Sequence, residues 1–185
     1  VVGGGGKGAR WERLGPVFSR SLIPVATTAE TKTDAVAQGR DLYRLISAFA
    51  ANAPQSARDE IIGKMRDSRS AAEKAFAQYR ATPLADDERA AGDRMEQDWP
   101  AYQMLVDRAV TLLASGDLVA ARAFIDGDVH RAYVKVMDAL TIMVDSNNRQ
   151  IGEGAAAATD QENSAKLTLC LGVAITFIAD FGLGL

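Results

Sequence analysis

The sequence predicts an all-α protein, an antiparallel up-down four-helix bundle that is followed by a transmembrane helix. Apolar residues recur at spacings of three and four along four long segments, which is the period of an amphipathic helix. Proline or glycine separates these segments, so the links between helices are short. A third observation supports the transmembrane helix: the 19 residues at 167–185 are almost all apolar, and a span needs about 20 such residues.

Length and composition limit the classes of protein to which the chain can belong. Its 185 residues are the size of a single domain. Lys and Arg total 21 and Asp and Glu total 24, so the net charge is −3. We therefore expect no nucleic-acid partner, since nucleic-acid-binding proteins carry a basic surface. The single cysteine, Cys170, excludes an internal disulfide and leaves the compartment open.

The first two predicted helices end before prolines. Helix one covers roughly residues 27–51, and Pro54 ends it because the residue before a proline avoids the helical region. One face of this helix carries Leu42, Ile46 and Phe49, extended by Tyr43 and Ala50. In helix two a heptad seam reads Ile62, Met65, Arg69, Ala72, Phe76, Tyr79, and Thr82-Pro83 ends the helix. The seam therefore contains one arginine, at position 69.

The third and fourth predicted helices are separated by a tight turn. Three acids, Asp86 to Glu88, stand in the first turn of helix three, where they favour the positive end of the helix dipole. Pro100 lies inside this helix and is expected to kink it. Its apolar stripe is Met95, Tyr102, Leu105, Ala109 and Leu112, with Trp99, Val106 and Leu113 on an adjacent line. Gly116 is expected to cap helix three and Asp117 to begin helix four.

The fourth helix carries the longest stripe, and it leads toward the apolar run. The stripe reads Leu118, Ala121, Ile125, Val129, Ala132, Val136, Leu140, Met143 and Asn147. The periodicity fades near Gly152, although the following alanines could continue the helix. Residues 1–26 are expected to form a flexible leader and the start of helix one, residues 27–160 the bundle, and residues 165–185 the transmembrane segment of a truncated longer protein. Asp180 counts against a span, so a buried terminal helix is the alternative.

No residue pattern predicts catalysis, a metal site or a cofactor. His130 is the only histidine, and the chain has neither the Glu-x-x-His pairs of a di-iron bundle nor a haem attachment motif. The Gly6-Lys7 pair lacks the Ser or Thr of a phosphate-binding loop. We therefore expect a non-enzymatic protein in which His130 is solvated.

Several short motifs resemble the four-helix-bundle sensory domain of bacterial methyl-accepting chemotaxis proteins. Trp99-x-x-Tyr102, the Leu-Leu-Ala-Ser-Gly-Asp run at 112–117 and Ala120-Ala121 are similar to its second hairpin. A later segment is similar to the fourth helix of that sensory domain, and it contains Arg131-Ala132-Tyr133, Leu140 and Asn147-Asn148. The apolar run at 167–185 falls where the second transmembrane span of the family lies.

The resemblance implies a periplasmic ligand-binding domain held in the inner membrane, working as a homodimer and signalling by a helix shift. The dimer is expected to form mainly through helix one and part of helix four. The resemblance also implies a small anionic ligand, an organic acid or an amino acid, bound near the dimer interface by arginines of helix one. Two alternatives stay open: the sensory bundle of a histidine kinase or cyclase, and a structural bundle with a membrane tail and no small ligand.

Arg40 and Arg44 match the position of those arginines, and guanidinium groups bind carboxylates through paired, charge-assisted bonds. We expect Arg44 to hold the ligand with help from Arg40 or Arg69. Ser68 is a neighbouring donor, and aromatic walls are expected from Trp99, Tyr102 and Tyr133. The alternative is that the arginines pair with Asp41 and Asp34, that Arg69 is a rim residue, and that the aromatic rings are core.

Overall fold

A computed structural model describes residues 23–159 of the chain, and the side chains of residues 23–153. This part of the chain contains helices and no strand, so the prediction of an all-α fold is confirmed for it. The elements are α1 (Ile23–Ala50), α2 (Gln55–Arg80), α3 (Asp86–Ala114), α4 (Leu118–Phe124), a π-helical turn (Ile125–Val129) and α5 (His130–Thr159). The last three follow one another without a break, and together they are the fourth helix.

The helices form two antiparallel hairpins that pack on each other through α1 and α5. At one end of the bundle, the side-chain amide of Asn147 in α5 donates to Thr28 in α1 over 3.2 Å. Toward the other end, the hydroxyl of Tyr43 donates to Asp126 over 3.3 Å. The start of α1 and the end of α5 therefore lie side by side at the same end of the bundle.

The helices break at the predicted places, and the caps predicted at Gly116 and Asp117 are observed. The end of α1 is a Schellman motif: Asn52 takes a φ of 51°, and the Ala53 N–H donates to the Ala48 carbonyl over 2.9 Å. At the start of α3, the Glu88 carboxylate accepts from the Ala85 N–H over 2.7 Å. Between α3 and α4, Gly116 has a φ of 85° and the Asp117 carboxylate accepts from the Ala120 N–H over 2.9 Å. Capping chemistry thus fixes all three links.

Two glycines of the bundle are expected to respond oppositely to replacement by alanine. Gly116→Ala should destabilise the protein by roughly 1–2 kcal/mol, because a left-handed conformation places Cβ close to the following carbonyl. Gly63→Ala in α2 should stabilise it by about 0.5–1 kcal/mol, because a Cβ there meets no atom within 4 Å and alanine favours the helix. Urea unfolding of both variants measures the difference, and equal effects would contradict this account of the turn.

The buried stripe of α1 differs from the predicted one. Leu42 and Ile46 are buried as expected, but Leu45 is buried as well. Tyr43 is 45% exposed and Ala50 is exposed, so the prediction that they extend the apolar face is wrong. The physical reason is the period: residues 42, 45 and 46 lie on one side of a 3.6-residue helix, whereas residue 43 is turned about 100° away from residue 42.

In α3 both apolar lines reach the core, since Met95, Tyr102 and Ala109 of the predicted stripe are buried. Trp99, Val106 and Leu113 are in the core, whereas Leu105 and Leu112 are only partly buried against it. The helix continues through Pro100. The direction from which α2 and the fourth helix approach decides which residues of the two apolar lines are covered.

The π-helical turn explains how the stripe of the fourth helix stays on one side. Ala121, Ile125 and Val129 are all buried, at two successive spacings of four. A wider turn accommodates such spacing because it holds one residue more than an α-helical turn. The turn occurs where the fourth helix passes α1 and α3.

The predicted transmembrane segment at 165–185 and the leader before residue 23 lie outside the described residues. Within residues 23–159, no helix combines the length and the apolarity that crossing a membrane requires. Helix α5 continues past Gly152 to Thr159, beyond the point at which the periodicity fades.

Candidate functional site

A groove of about 300 Å³ lies between α1 and the fourth helix, and we name it the tyrosine groove. It is walled by α1 on one side and by the π-helical turn and α5 on the other, with α3 beneath. Its lining comprises Val36, Gly39, Arg40, Leu42, Tyr43, Tyr102, Ile125, Val129, His130 and Tyr133. Most of these side chains are apolar or aromatic, and the basic ones stand at its rim.

Two tyrosines form the inner wall of this groove. The ring of Tyr102 comes from α3 and that of Tyr133 from α5, with their centroids 5.9 Å apart and their planes tilted by 52°. Gly39 of α1 faces both: a Cβ at this position would lie 3.4 Å from the Tyr133 ring and 3.9 Å from the Tyr102 hydroxyl. The glycine thus lets the rings approach the backbone of α1.

The hydroxyls of Tyr102 and Tyr133 are donors at neutral pH. Burial raises the pKa of Tyr102 well above its ordinary value, and the neighbouring Tyr133 raises it further. Burial also raises the pKa of Tyr133. Neither hydroxyl hydrogen-bonds to another residue within 23–153. Neither oxygen is fully enclosed and both residues line the groove, so both hydroxyls can donate to a bound molecule.

The rim of the tyrosine groove is basic. The side chain of Arg40 is 65% exposed at the edge, and His130 is exposed opposite it. Tyr43 donates to Asp126, and that carboxylate also pairs with Arg122. Among the described residues no carboxylate belongs to the lining itself, and the carboxylates of Asp41 and Asp126 beside it are each paired with an arginine.

Asp41 connects the two arginines of helix one. Its carboxylate is only 2% exposed and lies 2.8 Å from the Arg44 Nη1 and 3.5 Å from the Arg40 Nε. The alternative interpretation, in which these arginines pair with Asp41, thus describes their present contacts. Arg40 also lines the groove, whereas Arg44 does not. The stronger pair to Asp41 restrains Arg44 and leaves Arg40 freer to turn.

The other predicted site residues lie on a different side of the bundle. Arg69 lines a second groove of about 220 Å³ between α2 and α3, which we name the amide groove. Ser68 is half-buried beside it, and lines neither groove. Trp99 is 7% exposed in the core, with its ring 5.8 Å from that of Tyr102 and its Nε1 donating to Glu73 over 3.0 Å. The seven candidate residues therefore do not converge on one site.

Sequence reasoning missed the contributions of Gly39, His130 and the π-helical turn to the tyrosine groove. The signal for the turn was present, since the fourth stripe contains successive spacings of four. Gly39 stands alone in the middle of a helical pattern, which is itself a sign of a close approach. His130 gave no such signal, because its position depends on how the fourth helix is rotated.

Within the described residues, no group of three His, Cys, Asp or Glu side chains is placed to hold a metal ion. The arrangement in the tyrosine groove is that of a binding site: apolar walls, two unpartnered hydroxyl donors and a guanidinium at the rim.

The model of one protein family matches residues 13–163, a range that includes every described residue. Its description is "Four helix bundle sensory module for signal transduction". The chain belongs to this family. The match confirms the resemblance to the sensory domain of chemotaxis receptors that the hairpin motifs indicated.

Modules of this four-helix-bundle sensory family are extracellular parts of membrane receptors, and they are sensory rather than catalytic. No curated protein and no solved structure matches the chain. The tyrosine groove, the amide groove and the ends of α1 and α5 all lie inside the matched range.

Proposed function

We propose that this sensory module is the periplasmic domain of a chemotaxis receptor in the inner membrane, and that it binds a small carboxylate in the tyrosine groove. One observation carries the proposal: the groove contains two neutral tyrosine hydroxyls without partners among the described residues, and Arg40 stands at its rim. These are the groups that a carboxylate requires, because it accepts hydrogen bonds and forms charge-assisted bonds with a guanidinium.

The shape of the groove favours an aromatic carboxylate over an aliphatic dicarboxylate. The tilted rings of Tyr102 and Tyr133 offer faces and edges to another ring, and aromatic pairs favour such geometries. Arg40 is the one arginine that the described residues place in the lining, so it can bind one carboxylate. Arg44 assists by holding Asp41, which would otherwise repel the ligand.

Exposed apolar side chains beside the groove support a homodimer. Val36 and Tyr43 on α1 are large hydrophobic residues that line the groove and remain exposed in the single chain. Apolar side chains clustered on one face are typical of protein interfaces. A second copy docked on this face would cover the mouth of the groove, so ligand and dimer would stabilise each other.

Signalling follows from the position of the groove between α1 and the fourth helix. Both helices run to the end of the bundle where residues 23 and 159 lie, which is the end that faces the membrane in this proposal. A ligand that favours one arrangement of the two helices would shift them by about 1–2 Å, as in other helix-interface switches. The same module in a histidine kinase or a cyclase would use the same groove with a different output domain.

Replacing Arg40 by alanine is expected to weaken the binding of the preferred carboxylate by at least about tenfold, because a charge-assisted bond is lost. Isothermal calorimetry with benzoate, 4-hydroxybenzoate, phenylacetate, succinate and malate measures this. Arg94→Ala is the matched control, since Arg94 is an exposed arginine that lines neither groove. Arg44→Ala should weaken binding less than Arg40→Ala does.

The panel also separates the proposal from the structural alternative. A ligand-binding module is expected to give heat and a raised melting temperature with one class of acid. A purely structural bundle gives neither with any of the five acids. If the wild type and Arg40→Ala bind the preferred acid with equal affinity, residues other than Arg40 hold its carboxylate.

A further inference from the structure

We propose that the amide groove is a second ligand site, and that it takes an amino acid with an apolar side chain. The site lies between α2 and α3, on the other side of the bundle core from the tyrosine groove. Its floor, walls and rim each match one part of such a zwitterion. The proposal does not depend on what the tyrosine groove binds.

The floor is a pair of buried amides. Gln38 of α1 and Gln103 of α3 are 2% and 1% exposed, and each amide donates to the other, over 2.8 and 2.9 Å. A primary amide has two N–H groups, and this reciprocal pair uses one from each residue. Gln38 lines the groove, and its second N–H has no partner among the described residues. It can therefore donate to a bound carboxylate.

The groove exists because one layer of the core is missing from α2. Met65 and Ala72 are buried one heptad apart, but Ser68 and Arg69 between them are only half-buried. An apolar residue at position 69 would continue the seam and fill the space against α3. The arginine instead sends its guanidinium out to Glu73, 3.0 Å away, and toward Asp107, 3.5 Å away. The space that remains has the amide pair as its floor and aliphatic side chains as its walls.

The rim carries both signs of charge. Arg66 is exposed at the edge and forms no ion pair with any residue within 23–153, so its guanidinium is available to a carboxylate. The side chain of Asp107 in α3 is 71% exposed, and its one ion pair among the described residues is with Arg69 over 3.5 Å, so it can also accept from an ammonium group. The tyrosine groove, by contrast, has no carboxylate in its lining. The tyrosine groove therefore favours an anion, whereas the amide groove favours a zwitterion.

The walls of the amide groove are aliphatic. Ile62 and Met65 come from α2, and Val106 and Val110 come from α3. They suit a branched or unbranched aliphatic side chain, since burial of apolar surface is favourable and burial of an unpaired polar group is costly. A volume of about 220 Å³ is below that of sites for drug-sized molecules, which agrees with a ligand as small as an amino acid.

The two grooves are built on the same contact between α1 and α3. On α1, Gln38 lines the amide groove and the next residue, Gly39, lines the tyrosine groove. On α3, Tyr102 lines the tyrosine groove and the next residue, Gln103, hydrogen-bonds to Gln38. A ligand that tightens this contact from one side changes the wall of the other groove. Coupling of this kind is reciprocal: each ligand changes the affinity for the other by the same factor.

Calorimetry with L-leucine, L-isoleucine, L-valine and L-methionine on the whole chain tests the site. We expect at least one of them to bind with one site per chain. Two partial analogues of leucine test the zwitterion: 4-methylpentanoate lacks the ammonium group, and 3-methylbutylamine lacks the carboxylate. Each should bind at least about tenfold more weakly than leucine, because one charge-assisted contact is lost. Absence of heat with all four amino acids overturns the proposal, as does a 4-methylpentanoate affinity equal to that of leucine.

Three variants locate the binding. Arg66→Ala and Asp107→Asn are each expected to weaken the amino acid by about tenfold or more, and circular dichroism should show both folded, since both side chains are exposed. Arg40→Ala, on the tyrosine groove, should weaken the amino acid less than Arg66→Ala does. If Arg40→Ala abolishes amino-acid binding while Arg66→Ala does not, the amino acid belongs to the tyrosine groove and the second site does not exist. Failure of the carboxylate panel at the tyrosine groove would leave these results unaffected.

Discussion

Replacing Trp99 by alanine is expected to lower the free energy of unfolding by about 3–5 kcal/mol, the range for removing a large aromatic side chain from a core. The indole is buried, packs against Tyr102 and donates its N–H to Glu73. Urea unfolding followed by circular dichroism measures the loss.

Trp99→Phe is the matched control for this substitution. It keeps an apolar ring and removes the N–H, so it should cost much less, with about 1 kcal/mol for the lost hydrogen bond. A loss below about 1 kcal/mol for Trp99→Ala would mean that the ring is not part of the core, because truncation of a buried Trp to alanine costs about 3–5 kcal/mol. Trp99 would then again be a candidate for ligand contact.

The amide pair of Gln38 and Gln103 is expected to show strong non-additivity. Gln103→Leu leaves the Gln38 amide buried without its partner, which should cost about 1–3 kcal/mol. Gln38→Leu should cost a similar amount. The double variant should be close to the wild type in stability, because replacing both partners by apolar groups of similar shape can be nearly neutral.

A double-mutant cycle in urea gives the coupling energy of this pair. Residues in contact typically couple by about 0.5–3 kcal/mol, and we expect a value in the upper part of that range. Single losses that simply add in the double variant would show that the two amides do not depend on each other. In that case the floor of the amide groove would not be a fixed pair.

The ends of the helices were predictable because their causes are local. Pro54, Pro83 and Gly116 each act within one turn of the chain, and the helices end beside them as expected. The rotation of each helix was harder to predict. Tyr43 and Leu45 are close in sequence and both apolar, and the partner helices decide which of them is covered.

The candidate site was predicted only in parts for the same reason. Arg40 was predicted from its match to the family's helix-one arginines, and Tyr102 and Tyr133 as aromatic walls; the structure brings these three to one groove. Arg69 was visible as an arginine in an apolar seam, but its groove depends on the distance between α2 and α3. The burial of Asp41 between two arginines had no signal in the sequence, because a carboxylate next to an arginine is usually solvated.

The wide turn at Ile125–Val129 gives the fourth helix a surplus residue, equivalent to a one-residue insertion in a regular helix. Such a surplus can move along a helix, because each step exchanges one hydrogen bond for another. Every residue that it passes is turned by about 100°, the angle per residue of an α-helix. The segment between the old and the new position of the extra residue therefore rotates about the helix axis. The parts of the helix on either side of this segment keep their orientation. A sensory helix with this defect can present a different row of side chains to α1 without changing the length of the rod.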